Sequence, residues 1–133
     1  MASIHKEIAI NAEPAHVWAA IRDVGAVHRR LAPGYVADVR LEEDVRIVSF
    51  GDGRVIREII VGIDDRVCRL AYAAVGVPER KHHNASLQVF PMGDGASRVV
   101  WITDILPDEA AGQIAANMEK GLAAVKTHLE RAD

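Results

Sequence analysis

From Asp108 to Glu130 the apolar positions fall on one stripe: Ile114, Met118, Leu122, Val125 and Leu129, three or four residues apart. That spacing is the helical period, and it predicts one long amphipathic helix at the end of the chain. Between Val36 and Leu106 the pattern changes to short alternating runs broken by turn residues. Tyr35 to Leu41, Val45 to Phe50, Arg54 to Ile63, Val67 to Val75, His82 to Pro91 and Ser97 to Leu106 read as strands. Ser3 to Ile10 is a further strand, with Ile4, Ile8 and Ile10 on one side. Between the first strand and the rest, Pro14 sits where proline favours a helix start. Val17, Trp18 and Ile21 follow at helical spacing and give a short helix ending near Gly25. A second short turn covers Ala26 to Leu31, and Ala32-Pro33-Gly34 breaks it.

Two Gly-Asp-Gly loops, at 51–53 and 93–95, mark tight hairpins. Asp64-Asp65 turns the chain between the fourth and fifth strands, and Pro107 stops the last one. The strands run consecutively, so the sheet is antiparallel, and the closing helix must lay its stripe across it. The expected class is α+β: about seven antiparallel strands in a curved sheet wrapped around a long C-terminal helix, with two short helices after strand 1. Its 133 residues suit a single domain, 1–133. A curved sheet closed by one helix encloses a space, and function is expected there.

Composition narrows the partners. The net charge is -3 and no basic run occurs, which argues against nucleic acid. No apolar run approaches the ~18 residues of a membrane span. The N-terminus lacks the layout of a signal peptide, and the single cysteine, Cys68, forms no intramolecular disulfide. These features together read as a cytoplasmic protein, monomer or homodimer. No zinc spacing, P-loop, G-x-G-x-x-G, H-E-x-x-H or G-x-S-x-G motif is present, so no metal or cofactor is expected.

The sharpest polar feature lies in the first hairpin. If Phe50 and Arg54 close it, paired positions sum to 104 and Arg46 stands opposite Glu58, with Val48 and Ile56 on the same face. Cross-strand Cβ atoms lie about 5 Å apart, within reach of an ion pair. The other face carries Val45, Ile47, Val55, Ile59, Val61 and Ile63 and is the more apolar. Periodicity alone therefore puts Arg46 and Glu58 in water, where such a pair is worth about 0–1 kcal/mol.

In the fifth strand Leu70 and Tyr72 share a face with Cys68 and Ala74, which points inward; Tyr72 is either a ligand contact or a core tyrosine bonded to backbone. Cys68 reads as a small buried hydrophobe. His82 and His83 are strand neighbours on opposite faces and cannot chelate together. His83 faces inward with Ala85, Leu87 and Val89, as a titratable group at the cavity mouth; a surface histidine is the commoner reading. Trp101 shares a face with Val99 and Thr103, and the pattern leaves open which face is internal. Trp18 reads as core, anchoring the first helix to the sheet. Met118 and Leu122 lie mid-stripe, where gap-filling core and cavity wall coincide.

Several pieces along the chain add up to a family resemblance. They are Glu13-Pro14-Ala15-His16-Val17-Trp18 with Ile21 and Asp23, then Val45-Arg46, Asp52-Gly53, Arg57-Glu58 and Ile63-Asp64-Asp65. Tyr72 with Pro78 and Val99-Val100-Trp101 with Pro107 complete them. In order and spacing the chain resembles the START-like helix-grip superfamily (SRPBCC), and within it the polyketide cyclase/dehydrase-like proteins. The resemblance implies an internal cavity for a small, largely apolar molecule. It also implies a polar side chain presented inward from the strand that holds Glu58, which would place the Arg46–Glu58 pair inside.

Three readings follow. The first is a binding or carrier domain for a small hydrophobic compound: aromatic, polyketide-like or lipid-like. Ile56, Leu70, Leu87, Met118 and Leu122 would form its walls, and Arg46, Glu58 and Tyr72 would hold the polar end. The second is a cofactor-independent cyclase or dehydratase, with Glu58 or His83 moving protons and Arg46 or Tyr72 stabilising an enolate. The third is a protein-partner module whose cavity has collapsed. A continuous pocket of several hundred Å³ would favour the first two; a filled interior would favour the third.

Overall fold

A computed structural model describes residues 2–131. Seven strands form one sheet: β1 (Ala2–Ile10), β2 (Val36–Glu42), β3 (Val45–Phe50), β4 (Val55–Asp64), β5 (Arg69–Val75), β6 (His82–Gly93) and β7 (Ala96–Leu106). Their order is β1-β7-β6-β5-β4-β3-β2, and every neighbouring pair is antiparallel. The chain meanders from β2 to β7, and β1 completes the sheet on the far side of β7. Register shifts at Val36/Asp38, Ile60/Gly62 and Pro91/Gly93 insert bulges into β2, β4 and β6. Bulges bend and twist their strands, which is how the sheet comes to curve around a helix.

Helix α1 (Pro14–Arg22) follows β1, and a turn of π-helix covers Val27–Leu31. The expected closing helix is divided at its start: Asp108–Ala110 form a 3-10 turn and α2 runs from Ala111 to Leu129. Ile114, Met118, Leu122, Val125 and Leu129 are all buried, together with Gly121. The upper part of the stripe, Ile114 and Met118, meets Ile105 of β7; the lower part joins the main core with Ile10, Val17 and Ile21. Burial of each such side chain contributes about 1.5–3 kcal/mol.

Trp18 is buried, and its indole Nε1 donates to Asp65 Oδ1 at 2.9 Å. Arg22 Nε donates to the same oxygen at 2.8 Å. The short helix is thereby tied to the β4–β5 turn. In that turn Asp64 Oδ1 accepts from the backbone N–H groups of Arg66 (3.0 Å) and Val67 (3.4 Å). This Asx-type closure, with Cys68 at φ 54°, delays β5 to Arg69. Cys68 thus belongs to a half-buried turn packed on the core, not to the strand in which the alternation placed it.

The first hairpin has the register derived above: Arg46 pairs with Glu58 and Val48 with Ile56. Its facing is the reverse of what periodicity alone suggests. Arg46 is 5% exposed and Glu58 8%, whereas Val55 and Val61 are 61% and 66% exposed on the outer side. The physical reason is that strands β3 and β4 carry apolar residues on both faces, and α1, the Val27–Leu31 turn and α2 all cover the side that holds the charges.

The hairpin loop is tight. Phe50 N donates to Arg54 O at 2.8 Å and Gly51 N to Tyr35 O at 2.9 Å. A Cβ built on Gly51 would stand 2.3 Å from the Gly34 carbonyl oxygen, which is backbone and cannot swing away. Gly51→Ala is therefore expected to destabilise the protein by about 1–3 kcal/mol, read as a lowered urea midpoint with unchanged m. A midpoint equal to that of the parent protein would show that the Gly34–Gly51 approach is not a constraint.

Candidate functional site

Between the inner face of the sheet and α2 lie two adjoining voids. The larger, about 70 Å³, is bordered by Arg46, Val48, Leu70, Leu87 and Val99 from the strands, Leu122 and Val125 from α2, and Val27 and Leu31 from the π turn. The smaller, about 50 Å³, is bordered by Ile56, His83 and Thr103 from the sheet, Ile114, Asn117 and Met118 from α2, and by Arg54 and Arg80. Tyr35, Phe50, Glu58, Tyr72 and Trp101 border both.

All ten residues singled out in the sequence lie on these walls. Arg46, Leu70, Leu87 and Leu122 face the larger void, Ile56, His83 and Met118 the smaller, and Glu58, Tyr72 and Trp101 both. Trp101 thus belongs to the inner face. The open space falls well short of the several hundred Å³ expected. Aromatic rings account for the shortfall: Tyr35 and Phe50 pack edge to face at 5.5 Å, and Tyr72 and Trp101 stand beside them. An apolar cavity of about 150 Å³ holds one benzene, so a ligand larger than a few atoms enters only by displacing these rings.

The polar groups are arranged around Glu58. Arg46 Nε donates to Glu58 Oε1 at 2.8 Å, and its Nη1 reaches the Val24 carbonyl at 3.4 Å. The guanidinium lies 5.1 Å from the centroid of the Tyr72 ring, a cation–π distance. Among the described residues Glu58 Oε2 and Arg46 Nη2 make no hydrogen bond. Tyr72 OH accepts from Trp101 Nε1 at 3.1 Å. Burial, reinforced by the Glu58 charge, drives the Tyr72 pKa upward, so the hydroxyl keeps its proton. Tyr35 OH donates to the Asn117 carbonyl of α2 at 2.9 Å and bridges sheet side to helix; burial raises its pKa as well.

At the edge of the smaller void Arg54 donates through Nε to Asp52 Oδ2 at 2.8 Å and lies 4.4 Å from the Phe50 ring centroid. Arg80 Nη1 lies 3.2 Å from His83 Nδ1. Guanidinium only donates, so Nδ1 is the acceptor and the imidazole is the neutral Nε2–H tautomer. Burial first, then the charges of Arg80 and His82, pull the His83 pKa from an ordinary 6.5 to about 4.

The sequence did not single out Tyr35, Phe50, Arg54, Arg80, Thr103, Asn117 or Gly121. One of them had a signal. Gly121 lies on the apolar stripe of α2 without a side chain, and a Cβ there would stand 3.0 Å from the Trp101 ring and 3.2 Å from Tyr35. A glycine on a buried helical stripe marks such a close approach. Arg54 and Arg80 sit in or beside loops, where no periodicity says which way a side chain turns.

The His83 shift makes stability depend on pH. The folded state holds a weaker base than the unfolded chain, so unfolding takes up a proton between pH 6.5 and 4. The contribution of His83 is full above 6.5 and is lost as pH falls toward 4. His83→Asn is expected to flatten the fall in urea midpoint across that window; an unchanged slope would show that His83 does not carry it.

No curated protein matches the sequence. Among solved structures the chain is similar to XoxI from Bacillus cereus (TM-score 0.88, 22% identity, 98% of this chain and 97% of that one). It is also similar to the di-domain ARO/CYC protein BexL of the BE-7585A biosynthetic pathway (TM-score 0.84, 16% identity, 98% and 47%). A third likeness is to norcoclaurine synthase from Thalictrum flavum (TM-score 0.77, 12% identity, 99% and 95%). At these identities the likenesses show the shared fold. Residues 1–130 match the family model described as polyketide cyclase / dehydrase and lipid transport, and the chain belongs to that family.

Proposed function

We propose that the protein binds a small, largely hydrophobic molecule between sheet and α2, with Arg46, Glu58 and Tyr72 holding its polar end. The family description, which joins cyclases and dehydrases with lipid transport, is in keeping with this. The observation that carries the reading is the Arg46–Glu58 pair. Burying the two charges costs several kcal/mol each, and apolar residues of similar volume in their place would be neutral or stabilising. Fold stability alone gives no reason for the pair. Glu58 Oε2, Arg46 Nη2 and the Tyr72 proton lack protein partners among the described residues and border the space a ligand would take.

Ile56, Leu70, Leu87, Met118, Leu122 and Trp101 are the apolar walls. At about 25 cal/mol per Å², a ligand burying ~200 Å² gains ~5 kcal/mol before the costs of association. Apolar burial alone therefore gives weak binding, and the polar contacts supply the rest. The proposed ligand moves the Tyr35, Phe50 and Trp101 rings aside and joins the two voids.

Two observations favour other uses. A carboxylate oxygen and a protonated phenol on one void are what an enolate-forming cyclase or dehydratase needs, with Glu58 or His83, which border the same void, as base. The small void volume favours a partner-binding module.

Arg46→Met alone is expected to cost about 3–5 kcal/mol, because it strands the Glu58 charge. The double variant Arg46→Met/Glu58→Met is expected to recover that stability while losing the ligand that accompanies the purified protein in native mass spectrometry. Retention of the same ligand by the stable double variant would refute the polar-anchor role. Absence of any ligand, together with no binding of hydrophobic probes, would leave the partner module as the surviving reading. Turnover of a bound compound that survives Glu58→Gln would remove Glu58 as the base.

A further inference from the structure

The smaller void is bordered by more donors and positive charge than the larger one, and its charges do not balance. Arg46 is matched by Glu58 at 2.8 Å, and Arg54 by Asp52 at 2.8 Å. Among the described residues no carboxylate lies within ion-pair distance of Arg80. Among the described residues the guanidinium has one hydrogen-bond partner, His83 Nδ1, which is neutral. Arg80 is half-buried rather than extended into water. The adjacent Glu79 is exposed and opposes its charge, while Arg54 adds to the positive potential. Burial and the Arg54 charge both press the Arg80 pKa below its ordinary value.

Two further polar groups on this void have N–H protons to offer. With Nδ1 accepting from Arg80, the His83 proton is on Nε2. Asn117 uses Oδ1 to accept from Gln113 Nε2 at 3.0 Å, and its own amide N–H groups have no acceptor among the described residues. Glu58 is the one carboxylate on the border, and Arg46 neutralises it.

We propose that this void is a carboxylate subsite, in which Arg80, with Arg54, His83 and Asn117 around it, receives the monoanionic end of a ligand whose apolar body lies in the larger void. The inference rests on the ligand-binding reading above and narrows it to amphipathic organic acids. One uncompensated positive charge matches one negative charge. A volume of about 50 Å³ suits a single carboxylate group, and a planar carboxylate fits the fork of a guanidinium. A phosphate monoester, bulkier and close to dianionic, matches neither the volume nor the charge.

The test uses isothermal titration calorimetry at pH 7.5 with trans-cinnamic acid, its neutral analogue cinnamamide, and phenyl phosphate. The full-length protein is expected to bind cinnamate about tenfold or more tighter than cinnamamide, the size of one charge-assisted hydrogen bond. Arg80→Gln is expected to bring that ratio close to one, chiefly by weakening cinnamate about tenfold. Arg80→Lys should restore part of the preference, and thermal melts of both variants establish that they are folded. Equal binding of acid and amide by the parent protein overturns the subsite and leaves the ligand-binding reading intact. A preference for the acid that persists in Arg80→Gln assigns the anion to another group and likewise overturns it. Tighter binding of phenyl phosphate than of cinnamate overturns the carboxylate assignment. If neither cinnamate nor cinnamamide binds the parent protein, the ligand-binding reading falls and the subsite with it.

Discussion

The Arg46 guanidinium and the Glu58 carboxylate meet at 2.8 Å on a face otherwise lined by Val48, Leu70, Leu87 and Leu122. Their pairing depends on hairpin register, because a slip of one residue between β3 and β4 would put the two side chains on opposite faces. The loop resists it: Gly53, at φ 97°, supplies the turn, Gly51 lies against Gly34, and Phe50 and Arg54 close the hydrogen-bonded end. A locally constrained turn thus keeps an expensive pair inside and leaves Val55 and Val61 in water. Tyr72 and Trp101 are arranged around that pair, one through its ring face and the other through the Tyr72 hydroxyl.

Much of this was legible in the residues. The α2 stripe predicted which helix positions are buried because 3.6-residue spacing leaves little choice of face. Counting outward from Gly-Asp-Gly paired Arg46 with Glu58 because antiparallel register follows from loop length. The inward face of β5 and β6 was readable from Leu70, Tyr72, Leu87 and Val89, each alternating with smaller or polar neighbours. The facing of β3 and β4 was not, since apolar residues occupy both sides and the deciding layer comes from distant segments. Arg54 and Arg80 escaped for a different reason: a long side chain next to a turn can point to either side, and only the packed neighbours select one. The volume left inside depends on how Tyr35, Phe50 and Trp101 rotate, which a pattern of apolar positions does not encode.

The interior is also bounded from the helix side. Gly121 lets α2 approach the Trp101 and Tyr35 rings, and Tyr35 ties itself to the Asn117 carbonyl. Tyr35, Phe50, Tyr72 and Trp101 border both voids.

The protein has two tryptophans, and their surroundings differ. Trp18 lies between α1 and the β4–β5 turn with its indole bonded to Asp65, away from both voids. Trp101 borders both and bonds to Tyr72. In a chain carrying Trp18→Phe, the remaining indole is an intrinsic optical sensor of the interior. Its emission would follow occupancy and local polarity without an attached dye.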